Sequence, residues 1–132
     1  MLEEMVLPAL QLAGYQYEKQ SYIGRVMGGR PYKADLLVHD QQSGRRIVVS
    51  LKWQRVAGTA GQKIPFEVTA LLQLLESRAY DDAYLVLGGT GWTPQLREFY
   101  LSGGLCTFMP DATRVRIVGP EEFIKLVNNR QL

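Results

Sequence analysis

The sequence predicts an α/β fold, a mixed central β-sheet flanked by helices, formed as one domain over residues 1–132. Strand-like segments rich in Val, Ile, Leu and Tyr crowd into residues 15–53, and helical periodicity brackets them. Glycine and proline punctuate the joins.

Residues 2–13 set Leu2, Met5, Val6, Ala9, Leu10, Leu12 and Ala13 on one side of a helix that stops at Gly14, with Pro8 as a restriction inside it. Tyr15–Val26 then reads as a strand, Met27-Gly28-Gly29-Arg30-Pro31 as a turn and Lys33–His39 as a second strand. A polar hairpin loop over Gln41–Arg45 leads to a third strand, Arg46–Trp53. Arg55–Gln62, with Gly58, Thr59 and Gly61, is expected to be an exposed loop. Pro65 suits the first turn of a helix to about Ala79 that faces inward through Val68, Leu71, Leu72 and Leu75. Asp82–Leu87 is a short buried strand, Gly88-Gly89-Thr90-Gly91 a turn, and Thr93-Pro94 the start of a helix through about Leu101. The pattern weakens until Val115–Val118, an expected edge strand. A last helix then opens at Gly119-Pro120 with Phe123, Ile124 and Val127 inward.

Hydrophobic residues at 46% and charged residues at 21% over 132 residues are those of a globular chain, which excludes disordered and collagen-like classes. The apolar runs are too short for a bilayer span, and Glu3 and Glu4 stand where an export signal would be basic, so a cytoplasmic protein with no membrane association is expected. Cys106 is the only cysteine, which excludes an internal disulfide and argues for a buried thiol. The net charge of +2 hides a segregation. Lys19–Lys63 holds nine basic residues against Asp35 and Asp40, a local +7, while the flanking segments are acidic. Such a field attracts a phosphate polymer; it also describes an ordinary solvated surface.

Asp35 interrupts a strand between Ala34 and Leu36, where a carboxylate has low propensity, and Lys52 follows an apolar run in the next strand. Paired as a hairpin, these strands set Asp35 opposite residues 50–52, either as a cross-strand ion pair with Lys52 or as part of a catalytic centre. Glu67 borders the apolar face of the next helix and points at the sheet. Asp35, Glu67 and the main-chain carbonyl of Leu51 would suffice for a hard divalent cation such as Mg²⁺ or Mn²⁺. Lys52 would then act at an attacking water beside a phosphodiester. Gln54 either positions water or phosphate or is simply a polar strand end. Glu3 either looks towards the site or, with Glu4, stabilises a helix N-terminus. His39 reads as a strand-end residue, and Trp53 and Trp92 as packing residues or base-stacking platforms. Gly88–Gly91 has neither dinucleotide-fingerprint nor P-loop spacing.

These residues resemble the PD-(D/E)XK nuclease superfamily. Its core order, helix, three strands, helix, strand (αβββαβ, restriction-endonuclease-like), is matched over about residues 2–88. Asp35 matches its first acid and Lys52 its lysine, while Ala34 replaces the proline and Ser50 stands where the second acid is usual. A subgroup of tetrameric restriction endonucleases is similar in having Ser-x-Lys with the acid supplied by the following helix, and Glu67 lies fifteen residues beyond Lys52. The first-helix glutamate of many members, including archaeal Holliday-junction resolvases, is matched by Glu3. The resemblance implies a metal-dependent deoxyribonuclease, with Asp35, Glu67 and Leu51 at the metal and Lys52, Ser50, Gln54 and Glu3 assisting. It also implies DNA as substrate and a homodimer or homotetramer. The readings left open are a restriction- or homing-like endonuclease, a junction-resolvase-like enzyme that reads branched shape, and a DNA-binding module without catalysis.

Overall fold

Leu2–Ala13 form the first helix (α1), whose Leu2, Val6, Ala9 and Leu10 are buried. In this computed structural model residues 2–56, 58 and 60–132 are described; Met1, Ala57 and Thr59, the last two expected in an exposed loop, lie outside the described residues. Pro8 sits inside α1 on an exposed turn and leaves it one helix. Gly14 takes φ of +84°, a conformation costly for any side chain, and the Tyr15 N–H closes back on the Leu10 carbonyl at 3.0 Å. Met5 and Leu12, expected inward, are 41% and 89% exposed, because only a narrow stripe of α1 meets the sheet and the last helix.

Two long strands follow, β1 (Gln16–Val26) and β2 (Arg30–Asp40), joined by a tight turn in which Gly28 and Gly29 both have positive φ. The second strand therefore begins at Arg30, three residues before the expected start. β3 (Arg45–Trp53) pairs antiparallel with β2 only from Leu36↔Val49 to Asp40↔Arg45, so Arg30–Asp35 of β2 have no partner on that side. Pro31, which cannot donate to a ladder, falls in this unpaired stretch. After β3 come α2 (Ile64–Glu76), β4 (Asp82–Gly88), α3 (Pro94–Leu101), β5 (Val115–Val118) and α4 (Pro120–Asn128). The sheet order is β1-β2-β3-β4-β5, antiparallel among the first three strands and parallel from β3 to β5, with β1 and β5 as edges.

The helices cover both sheet faces. Ile64, Val68, Leu71 and Leu75 of α2 pack with Tyr100, Leu105 and the Val48, Leu85 and Leu87 face. Leu2, Val6 and Leu10 of α1 pack with Phe123 and Val127 of α4 against Ile47, Val49, Tyr84 and Val86. Each fully buried Leu, Ile or Phe here contributes about 1.5–3 kcal/mol. α2 ends at Glu76, short of the expected Ala79, and Leu72 is only partly buried. Gly61, expected in an exposed loop, is buried: its carbonyl accepts from the Tyr100 hydroxyl at 2.6 Å, and Ala60–Lys63 wind as a 3₁₀ turn into α2. Two further 3₁₀ turns, Gly104–Thr107 and Pro110–Arg114, occupy the stretch where periodicity faded. Cys106 is half-buried rather than a core thiol.

Candidate active site

Where the β2–β3 ladder stops, the two strands part and a fork opens. Side-chain alternation in β2 breaks at the same rung. Tyr32, Ala34 and Leu37 pack in the α2-side core and Leu36 and Val38 in the α1-side core, so Ala34 and Leu36 no longer share a face. Asp35 lies at this break. On β1 the paired register passes from Lys19↔Leu36 to Ser21↔Ala34, and the intervening Gln20 has φ of +51°. Breaks of this kind re-aim side chains beside functional sites.

The Asp35 carboxylate crosses the fork and accepts the Leu51 N–H at 2.7 Å through Oδ2. Leu51 lies beyond the last β2–β3 pair, so its N–H is satisfied by a side chain where a strand would otherwise serve. Its carbonyl leaves the chain on the same side as its N–H, towards Asp35. Asp35 Oδ1 has no hydrogen-bond partner among the described residues, and the carboxylate lines an open depression of about 170 Å³ with Leu2, Glu3, Leu51 and Trp53. Burial pushes the Asp35 carboxyl up from the usual carboxylate range; the Leu51 N–H and the Lys52 charge pull it back, and Glu67 and Glu3 add to the rise.

Ser50 and Lys52 project to the opposite face, where Glu67 descends from the first turn of α2. Glu67 Oε1 accepts from the Tyr32 hydroxyl at 2.5 Å and from Ser50 Oγ at 3.0 Å, while Lys52 Nζ stands 3.7 Å from Oε2. Ser50 is the one buried polar residue of the described chain, and its hydroxyl is satisfied by this carboxylate. Tyr32 is buried too, and its phenol is pushed far above its usual value, first by burial and then by the Glu67 charge, so it remains a proton donor. Lys52 has Glu67 as its ion-pair partner; no Asp35–Lys52 pair forms among the described residues.

The remaining expected participants sit around this centre. Glu3 accepts from the Gln20 side chain at 2.9 Å at the α1 end of the depression. The Gln54 amide donates to the Gly91 carbonyl at 2.8 Å, and its main chain exchanges bonds with Gly88 and Gly91, so it ties β3 to the Gly88–Gly91 turn. Trp92 is buried with its indole N–H on the Gly88 carbonyl, a packing role, whereas Trp53 borders the depression. His39 contacts Glu18 at 2.9 Å, away from the centre. Arg45 pairs with Asp82, and Arg46 stacks on Tyr80, at the far end of β3. The local positive charge is therefore less concentrated at the site than its sequence clustering implies. Tyr32 is the participant that sequence reasoning missed, for in a strand a tyrosine reads as an ordinary β-former.

A family model for the PD-(D/E)XK nuclease superfamily domain matches residues 1–130. The chain belongs to the PD-(D/E)XK nuclease superfamily. Among solved structures it is similar to AF1548, a protein of unknown function (TM-score 0.51, 9% identity, 87% of this chain and 54% of that one). It is also similar to the small subunit of the heterodimeric restriction endonuclease R.BspD6I (TM-score 0.50, 15% identity, 97% and 67%). At these identities the likenesses show the fold, and the chain spans about half the length of the first, 54%. No curated protein matches the chain.

PD-(D/E)XK nucleases generally use divalent metal ions. Among the described residues no group of three or more His, Cys, Asp or Glu side chains is close enough to hold an ion. Mg²⁺, however, is usually held by one or two carboxylates together with waters and substrate phosphate. Asp35, with a free oxygen, a desolvated carboxylate and the Leu51 carbonyl turned towards it, fits that lighter demand. Glu67 Oε2 retains acceptor capacity beside Lys52. Within the described residues no helix is long and apolar enough to cross a membrane.

Proposed function

We propose that the domain, residues 1–132 acting as one unit, is a metal-dependent endonuclease that hydrolyses DNA phosphodiester bonds. The observation that carries this reading is the contact between Ser50 and Glu67: the helix carboxylate stands 3.0 Å from the serine that occupies the superfamily's second-acid position, with Lys52 beside it. An acid supplied from α2 in this way makes good the departure at Ser50.

Asp35, Glu67 and the Leu51 carbonyl would hold Mg²⁺ or Mn²⁺, which when bound supplies Lewis-acid stabilisation of the phosphoryl oxygens and a more acidic water. Asp35 keeps one oxygen free at the depression it lines while the Leu51 N–H fixes the other. Lys52 holds a positive charge where negative charge develops on the phosphorane-like transition state, and it orients the attacking water. Tyr32 and Ser50 fix the Glu67 carboxylate so that Oε2 faces Lys52. Glu3 and Gln54 assist from the rim, the one through Gln20 and the other by fixing the Gly88–Gly91 turn. A cytoplasmic enzyme acting as a homodimer or homotetramer suits so small a recognition surface.

The test is incubation of purified protein with supercoiled plasmid and with a synthetic four-way junction, in Mg²⁺, Mn²⁺ and EDTA, alongside Lys52→Ala. Metal-dependent cutting that the variant loses is the expected result, and the preferred substrate separates restriction-like from resolvase-like action. Absence of cutting on every DNA form, with salt-sensitive binding intact, would replace the enzyme by a DNA-binding module.

A further inference from the structure

Both carboxylates of the site have an exposed aromatic carrying a cation close by in the chain. Tyr22 of β1 is paired with Lys33 of β2 in the strand register; its ring is 70% exposed, with Lys33 Nζ 5.9 Å from the centroid. Lys33 precedes Asp35 by two residues, about 6.6 Å along an extended strand. On the other side of the sheet Phe66, 47% exposed, adjoins Glu67 in α2, and Arg30 Cζ lies 4.8 Å from its ring centroid. Among the described residues neither Lys33 nor Arg30 is in an ion pair, so both charges remain available to an external anion.

Exposed aromatics with unpaired cations are poorly suited to an intact duplex, whose base faces are covered, and well suited to unpaired nucleotides, whose faces stack while phosphates meet the cations. We propose that Tyr22–Lys33 and Phe66–Arg30 form two stacking platforms that grip unpaired nucleotides on either side of the scissile phosphate. The preferred substrate class is then DNA with unpaired nucleotides at the cut: single strand, flap or open junction. This rests on the nuclease reading for the position of the cut, but the platforms themselves are measurable without cleavage.

The experiment is fluorescence anisotropy in EDTA with a labelled oligothymidylate of about 12 nucleotides, within the usual span of such sites, and with a blunt duplex of the same length. The wild type binds the single strand at least about tenfold more tightly than the duplex. Tyr22→Ala and Phe66→Ala each weaken single-strand binding by about tenfold, and Tyr22→Phe restores it. Lys33→Ala lowers the salt slope of single-strand binding by about 0.7, one phosphate contact. Duplex bound as tightly as single strand, or single-strand affinity within twofold of wild type in Tyr22→Ala, overturns the proposal. Selective, tyrosine-dependent binding by a protein that cuts no DNA would support the platforms and remove only the nuclease reading.

Discussion

Ser50 Oγ and Glu67 Oε1 lie 3.0 Å apart, one in the buried middle of the sheet and the other in the first turn of a helix, with a connecting loop between. The contact sets a carboxylate beside a strand position that carries none of its own. Glu67→Gln keeps the shape and removes the charge. Cleavage should fall by about 100-fold or more, the scale of losing one fixed electrostatic group in an active site. Activity within a few-fold of wild type, in the assay that detects metal-dependent cutting, would show that Glu67 serves structure alone.

Asp35 offers a readout in stability. Its folded-state carboxyl titrates above the ordinary value because burial opposes ionisation. Between the unfolded and folded values the native state binds more protons than the unfolded state, so stability falls as pH rises through that window and the cost persists at neutral pH. Thermal melts should therefore place Asp35→Asn above wild type at pH 7 without metal, with the difference vanishing below the unfolded carboxylate range. Divalent cation should stabilise the wild type by about 2.7 kcal/mol at a hundredfold excess over Kd, seen as a higher melting temperature, and leave Asp35→Asn unmoved.

Tyr32→Phe removes the shortest hydrogen bond to Glu67 and nothing else of the ring. The expected loss is about 1.5–3 kcal/mol of unfolding free energy, as for a buried bond to a charged group, read by urea denaturation. A change below about 0.5 kcal/mol, the range of ordinary surface substitutions, would mean that the phenol adds little to holding the carboxylate.

Gly89 has φ of +92°, and a Cβ added there would run into the Gln54 main-chain carbonyl. Gly89→Ala should cost at least about 1–2 kcal/mol and displace the end of β3 beside Trp53. Equal melting temperatures for the variant and wild type would contradict this close approach.

The order of helices and strands was legible because periodicity and turn chemistry agree over residues 2–53 and 64–101. The pairing of Lys52 with Glu67 was harder. From sequence the lysine's natural partner was the cross-strand Asp35, and only the break in β2 and the descent of α2 decide that it faces the other acid. Tyr32 lay hidden because its partner is thirty-five residues away, and no local pattern marks such a contact. Met5 and Leu12 misled because helical period counts apolar residues without knowing how wide a stripe the sheet covers. Residues 102–114 carried no signal because short 3₁₀ turns bury isolated side chains such as Leu105 and Ala112 with no repeating face.

The two acids reach the fork from opposite layers, Asp35 beside the α1 end and Glu67 from α2. The sheet itself holds Asp35, through the Leu51 N–H, whereas Glu67 comes to the fork only when α2 docks. The two-acid arrangement therefore depends on the packing of one helix, and a chain in which α2 has not yet docked presents Asp35 alone.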